Sequence, residues 1–155
     1  MRHRYLPLPT EDVRRLQRGG LDAYGMAPER AVSDGKGNPC RHCLCEIPKG
    51  AEMLILAHRP FPAPQAYAET GPIFLCAEPC QPWQGAGLPP VLTTSPDYLV
   101  KGYGPDYRIR YGTGAVVPAG EIDRYVGQLL AKPGIAFADI RSARNNCFQC
   151  RVACA

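Results

Sequence analysis

The sequence lacks any long hydrophobic run. Its longest purely aliphatic stretch is Met53–Ala57, whereas a membrane-spanning helix needs about 20 apolar residues. The first residues are basic, as in a signal peptide, but charge returns at Glu11 before an apolar segment can form. We therefore expect a cytoplasmic protein with no membrane partner.

The sequence also lacks the common signatures of catalysis and nucleotide binding. It has no Ser–His–Asp or Walker signature. The glycines of Gly112–Val116 lack the third glycine and the following helix of a dinucleotide-binding loop. The sequence therefore identifies neither a reaction nor a substrate.

Charge of one sign is not in large excess either. The formal net charge is +4, and a domain that binds nucleic acid usually has a denser basic face. In Tyr107–Tyr111, tyrosines and arginines alternate, so in a strand they lie on opposite faces and cannot hold a nucleic acid together. Nucleic acid is therefore not a favoured partner, although a nucleic-acid-binding module that uses the arginine-rich chain ends is kept as an alternative.

What the chain does have is enough apolar sequence for one folded domain over residues 1–155. It is 45% hydrophobic and carries 17 prolines and 16 glycines, which break it into short elements. We predict a small α+β domain with a mostly antiparallel sheet, two helices and Pro/Gly-rich loops. The predicted helices are Glu11–Arg18, capped by Thr10, and Glu121–Lys132; the predicted strands are Glu52–His58, Gly71–Cys76, Asp97–Gly102, Tyr107–Tyr111 and Ile135–Arg141.

Eight cysteines are many for a cytoplasmic chain. Because disulfides are disfavoured there, Cys-x-x-Cys pairs indicate metal or redox chemistry. Two such pairs, Cys40/Cys43 and Cys147/Cys150, could together complete a tetrahedral thiolate site. We predict that they bind a structural metal, most simply zinc, with its negative charge relieved by basic neighbours, namely Arg41, Arg144 and Arg151.

Two features weigh against that pairing. The pairs are far apart in sequence, and the residue after each is Leu44 or Arg151 instead of the usual glycine. Cys76 and Cys80 are therefore the next candidate ligands, although Cys76 could also be a buried core residue. Further candidates are Cys45, Cys154, His42 and His58.

Other chemistry remains open for the same residues. The Cys40–Cys43 pair could be a thiol switch, since a positive neighbour lowers a thiol pKa. A reactive cysteine or an open zinc position, with His42 or His58 as acid or base, would make the protein an enzyme. The segment His58–Phe61 follows a predicted strand, and its histidine and arginine could bind an anion or move protons, so an anionic ligand is a further candidate partner.

Six stretches give the chain a resemblance to a known family: "GNPCRHCL" (Gly37–Leu44), "HRPF" (His58–Phe61), "YAETGPIF" (Tyr67–Phe74), "AEPC" (Ala77–Cys80), "RIRYGTG" (Arg108–Gly114) and "RSARNNCFQCRV" (Arg141–Val152). The chain resembles the bacterial family of unknown function DUF1203. Cys76 stands where that family often has histidine, which exchanges one type of metal ligand for another. The resemblance implies a single-domain bacterial protein and no particular activity.

Overall fold

The computed structural model describes residues 2–155 as eight strands, two α-helices and two short 3₁₀-helices. The 3₁₀-helices are Pro90–Leu92 and Ala119–Glu121. In chain order the other elements are β1 (His3–Leu6), α1 (Thr10–Gln17), β2 (Glu29–Val32), β3 (Glu52–His58), β4 (Gly71–Cys76), β5 (Asp97–Tyr103), β6 (Ala115–Pro118), α2 (Ile122–Leu130), β7 (Phe137–Ser142) and β8 (Phe148–Cys154).

The strands form two antiparallel sheets. The larger sheet has the order β1-β8-β7-β5-β6, and the smaller has the order β2-β3-β4. With only two helices added to these sheets, the predicted α+β class is confirmed. Within residues 2–155, no helix is long and apolar enough to cross a membrane.

Each helix buries an apolar face in a different part of the core. In α2, Ile122, Val126 and Leu129 recur at helical spacing and are almost completely buried against the larger sheet. In α1, Val13 and Leu16 are buried in the cluster that covers the smaller sheet. Thus α1 and the smaller sheet share one core cluster, and most of the cysteines described below lie in it or beside it.

Both predicted helices and four of the predicted strands are present, with ends displaced by up to two residues. The predicted strand Tyr107–Tyr111 is wrong. Tyr107 has a φ of 61°, which strands do not allow, and Ile109 makes only an isolated bridge to Tyr103. Tyr111 is 81% exposed. Local alternation predicted a strand there, but this segment has no full-length partner strand among residues 2–155.

The predicted cap of the first helix is also wrong. Pro9 occupies the N-cap position, so Thr10 already lies inside α1 and makes no capping hydrogen bond. Its hydroxyl instead contacts the ring of His42 at 2.9 Å. The sequence thus indicated a polar role for Thr10 but assigned it to the wrong partner.

The segment after residue 37 connects the two sheets. Cys40 forms a parallel bridge with Phe74 of β4. Arg41, only 3% exposed, donates from its backbone to the Phe74 carbonyl and from its side-chain Nε to the Phe148 carbonyl of β8, at 3.2 and 2.7 Å. A loop that carries Cys40, Cys43 and Cys45 is therefore held between the smaller and the larger sheet.

Candidate metal centre

Four cysteine sulfurs converge beside the smaller sheet. The Sγ atoms of Cys40, Cys43, Cys76 and Cys80 all lie within 4.8 Å of one another, and those of Cys40 and Cys80 are 3.9 Å apart. Cys40 is buried and the other three are partly buried; all four are free thiols. The chain therefore brings together one Cys-x-x-Cys pair and one Cys-x-x-x-Cys pair.

The first pair lies in a tight loop closed by backbone hydrogen bonds. The Leu44 amide donates to the Cys40 carbonyl, and the Cys40 amide donates to the Cys45 carbonyl, both at 3.0 Å. Leu44 has a φ of 53°, the left-handed conformation that glycine adopts most readily. Its side chain is fully buried in the main core, so packing offsets the backbone cost. The missing glycine after Cys43 therefore does not prevent the loop from forming.

The second pair is positioned by the end of β4 and by α1. Cys76 is the last residue of β4, and Cys80 lies in the loop that follows. Gln17 donates to the Cys76 carbonyl at 2.9 Å, and Arg14 donates to the Cys80 carbonyl at 2.7 Å. Arg14 and Gln17 also hydrogen-bond to each other at 2.9 Å. One face of α1 therefore holds the end of β4 and the loop that follows it, which together carry the second pair of sulfurs.

Two N–H groups face the sulfurs. The Cys76 amide donates to Cys40 Sγ at 3.3 Å. The ring of His42, completely buried, places Nδ1 3.1 Å from Cys80 Sγ and Nε2 2.9 Å from the Thr10 hydroxyl. Protonation at Nδ1 satisfies both contacts, because Nδ1–H then donates to sulfur while Nε2 accepts from the hydroxyl. Donors of this kind stabilise negative charge on thiolates.

The four thiols also share their protons unequally. Hydrogen bonds from Cys43, followed by Cys76 and Cys80, lower the pKa of Cys40. The same contact with Cys40 is the main cause that raises the pKa of Cys43 and of Cys76. Contact with Cys40 raises the pKa of Cys80, but contacts with Cys43 and Cys76 outweigh it and lower that pKa overall. The contacts therefore favour thiolates at Cys40 and Cys80 and protonated thiols at Cys43 and Cys76 until a cation binds.

The spacing of the sulfurs fits one tetrahedral ion. A zinc–sulfur bond of about 2.3 Å places two sulfurs of a tetrahedron about 3.8 Å apart, close to the 3.9 Å between Cys40 and Cys80. An iron–sulfur cluster puts several metal and sulfide atoms between its thiolates and would need wider spacing. The donor set is thus suited to a single soft cation.

The pair expected to complete the site lies elsewhere. Among residues 2–155, the group of converging ligand atoms includes neither Cys147 nor Cys150. Cys150 is a member of β8 and is 1% exposed in the main core, where burial is the chief cause that raises its pKa. Cys147 precedes β8, with its sulfur 3.7 Å from the Asn145 carbonyl oxygen. The structure thus brings together the first predicted pair and the pair ranked next.

Three other candidates, Cys45, Cys154 and His58, are not members of the group of converging ligand atoms. Cys45 directs its sulfur to the Cys43 carbonyl at 3.5 Å, and Cys154 is an exposed residue of β8. His58 packs on the ring of Phe148, with ring centroids 5.5 Å apart. Burial, assisted by nearby arginines that include Arg41, lowers the pKa of His58 to about 4, so this imidazole is neutral at pH 7.

The arginines expected beside the sulfurs mostly have other partners. Arg144 pairs with Asp97 at 2.7 Å, and Arg151 binds the carboxylate of Asp139. Sequence reasoning missed the residues of α1 that surround the cluster, namely Thr10, Arg14 and Gln17. Their spacing of three and four residues placed them on one helix face and was the available signal.

Comparison with known proteins gives one match. The family model described as "Protein of unknown function (DUF1203)" matches residues 37–153, a range that includes all four converging cysteines. No curated protein and no solved structure shows a significant match. Because the family model covers most of the 155 residues, the chain belongs to the DUF1203 family.

Proposed function

We propose that Cys40, Cys43, Cys76 and Cys80 bind one zinc ion that stabilises the fold. The observation that carries this proposal is the convergence of four sulfurs within 4.8 Å of one another. Zinc prefers four-coordinate thiolate sites of this kind. The N–H groups of Cys76 and His42 directed at sulfur support it, because a zinc tetrathiolate carries a net charge of about −2.

A structural role suits this donor set better than a catalytic one. Catalytic zinc usually has three protein ligands and keeps one position for water or substrate, whereas four cysteines fill the tetrahedron. The ion would join the loop at Cys40 and Cys43 to the end of β4 and, through Arg14 and Gln17, to α1. It would therefore fix the segment that connects the two sheets.

Two broader expectations accompany this proposal. We infer that residues 1–155 form one domain, supported by Arg41, which hydrogen-bonds to strands of both sheets. We also infer a cytoplasmic location, supported by the four free thiols of the cluster, since thiols persist in a reducing compartment.

Metal analysis of the purified chain tests the zinc site. Protein prepared without chelator is expected to contain one zinc per chain, and the Cys43→Ser and Cys76→Ser variants should lose it. Cys147→Ser is the matched control, because Cys147 belongs to a similar motif but lies outside the cluster; it should keep its zinc.

Other outcomes would overturn particular parts of the proposal. A wild-type protein with no metal and with four thiols that react freely would reject the site. Loss of zinc from Cys147→Ser would reject the ligand set. One iron per chain would keep the ligands and replace zinc, since a tetrahedral set of four sulfurs also binds iron. Replacement by Co²⁺ should give the visible spectrum of a tetrahedral tetrathiolate, and its absence would argue against four-sulfur coordination.

A further inference from the structure

A second polar site lies between residues of the two sheets. It is a cavity of about 200 Å³ between the smaller sheet and the turn from β7 to β8. The residues of its wall that matter here are His58, Glu69, Thr70, Arg141, Asn146 and Cys147. None of the four clustered cysteines contributes to it, so its chemistry can be considered independently of any metal.

Arg141 is the most unusual residue of this wall. Its side chain is 5% exposed, and its Nη1 lies 3.1 Å from a Glu69 carboxylate oxygen and donates to the Asn146 carbonyl at 3.0 Å. The remaining donors, Nε and Nη2, are buried and have no hydrogen-bond partner among residues 2–155. Since buried guanidinium donors without partners are costly, this edge of Arg141 requires an explanation.

Arg151 shows what the same edge of an arginine binds in this fold. Its Nε and Nη2 donate to the two carboxylate oxygens of Asp139 at 2.7 and 2.9 Å. Nε–H and Nη2–H are parallel and match the spacing of the two oxygens of a carboxylate. In Arg141 the equivalent pair of donors is buried without an acceptor, so the natural partner of that pair is a planar carboxylate.

Further unpaired polar atoms lie close to Arg141. His58 Nε2 and the Tyr103 hydroxyl are also buried without hydrogen-bond partners among residues 2–155. The rings of His58 and Phe148 are 5.5 Å apart, and the Arg141 guanidinium carbon lies 5.9 Å from the same Phe148 ring. Burial, followed by the charge of Asp139, raises the pKa of Tyr103, while the charge of Arg141 and a weak side-chain interaction with it oppose the rise. The Tyr103 hydroxyl therefore lies beside Arg141 but outside normal hydrogen-bond distance.

The surrounding charges favour an anion. Glu69 faces both Lys101, at 3.2 Å, and Arg141, at 3.1 Å. Asp139 is already paired with Arg151. One carboxylate therefore serves one buried and one partly buried cation, and an added anion would restore the balance.

We propose that Arg141 binds the carboxylate of a small organic acid in this cavity. Nε–H and Nη2–H of Arg141 donate to its two oxygens, and His58 lines the same cavity. A cavity of about 200 Å³ suits an acid of a few carbon atoms, since pockets for drug-sized ligands are larger, at about 300–1,000 Å³. The site depends on Arg141, not on the cysteine cluster.

Titration of the full chain with acetate tests the proposal. Ionic strength is held constant with chloride, and binding is measured by calorimetry and by the ¹H–¹⁵N signal of Arg141 Nε. We expect saturable binding of acetate and a shift of that signal. Arg141→Lys keeps the charge but removes the paired donors, so it should weaken binding by roughly tenfold or more. Arg144→Lys is the matched control, because Arg144 is exposed and paired with Asp97; it should bind acetate as the wild type does.

Several results would contradict the binding of a carboxylate by Arg141. An Arg141 signal that does not move during the titration would overturn the proposal in the wild-type protein, whatever the stability of the variants. Equal weakening by Arg144→Lys would show nonspecific charge attraction and overturn it too. Saturable binding of inorganic phosphate without binding of acetate would reject a carboxylate ligand. Zinc content, measured on the same samples, reports separately on the metal site, so failure of either proposal can be recognised.

Discussion

The two Cys-x-x-Cys segments have the same spacing and opposite environments. Cys40 and Cys43 lie in a loop where Leu44, with its left-handed backbone, follows the second cysteine, and both sulfurs reach one cluster. Before Cys147, the left-handed residue is Asn146. The chain then enters β8, so Cys150 is already a strand residue.

The difference shows that backbone conformation, not spacing, decides whether such a pair converges. In a strand, residues three apart point to opposite faces. Cys150 accordingly packs in the main core, while Cys147 lines cavities at the surface. A turn must lie between or just after the two cysteines for both sulfurs to face one ion.

Metal removal should produce the largest difference in stability between the two Cys-x-x-Cys segments. Structural zinc contributes on the order of 10 kcal/mol to folding at neutral pH, so a chelator should greatly lower the midpoint of thermal unfolding. Hydrogen exchange should show early loss of protection in residues 38–47 and 76–83, with β7 and β8 (Phe137–Ser142 and Phe148–Cys154) protected longer. The reverse order, or no effect of the chelator, would contradict the proposed site.

Acid should destabilise the protein through His58, whose ring packs on Phe148 of β8. Its pKa is lowered to about 4 in the folded protein, against about 6.5 when unfolded. Folding favours the neutral form of His58. The contribution of His58 to the free energy of unfolding is therefore complete above pH 6.5, and it decreases by up to about 3 kcal/mol as pH falls from 6.5 to 4.

The comparison with His58→Gln isolates this effect. Denaturant unfolding at pH 7 and at pH 4.5 should show a smaller loss of stability in His58→Gln than in the wild type. Any release of metal by acid affects both proteins and cancels in the difference. Identical pH profiles would show that His58 is not buried as a neutral ring.

Serine substitutions should distinguish the two cysteines of the second segment. Cys150 is 1% exposed among apolar side chains, so Cys150→Ser buries a hydroxyl and should cost about 1–3 kcal/mol. Cys147→Ser should change the free energy of unfolding by less than about 0.5 kcal/mol. Chemical denaturation measures both, and a larger cost for Cys147→Ser would contradict this assignment of environments.

The smallest expected effect concerns the turn before Cys147. Asn146 has a φ of 57° and is exposed. Asn146→Ala should therefore cost about 1 kcal/mol, while Asn146→Gly, which tolerates this conformation, should be nearly neutral. Equal stability of the alanine and glycine variants, from urea unfolding, would show that the turn relaxes. Neither change should alter the metal content.

Local sequence patterns predicted much of the fold because each pattern lies within a single helix or strand. The apolar stripe of Ile122–Leu130 and the apolar runs of Glu52–His58 and Gly71–Cys76 are such patterns. Three of the four strands missed, β1, β2 and β6, have only four residues each and depend on their partners. The fourth missed strand, β8, was not predicted because its cysteines indicated a metal-binding loop.

The candidate site could be predicted only in part. Cys40 and Cys43 were correctly grouped as a pair with converging sulfurs, but their neighbours in space are Cys76 and Cys80. That pairing depends on the bridge between Cys40 and Phe74, a contact 34 residues apart in the sequence, and no local pattern encodes it. Which cysteines bind a metal stays a prediction.

The order of the cysteines along the chain has a consequence for synthesis. All four converging sulfurs have been made once residue 80 is reached, whereas β1 pairs with β8, whose first residue is Phe148. The loop that carries Cys40 and Cys43 nevertheless depends on later residues, because Leu44 packs in the main core and Arg41 hydrogen-bonds to Phe148. The four sulfurs are thus synthesised together, but the loop that positions two of them is completed only when β8 is in place.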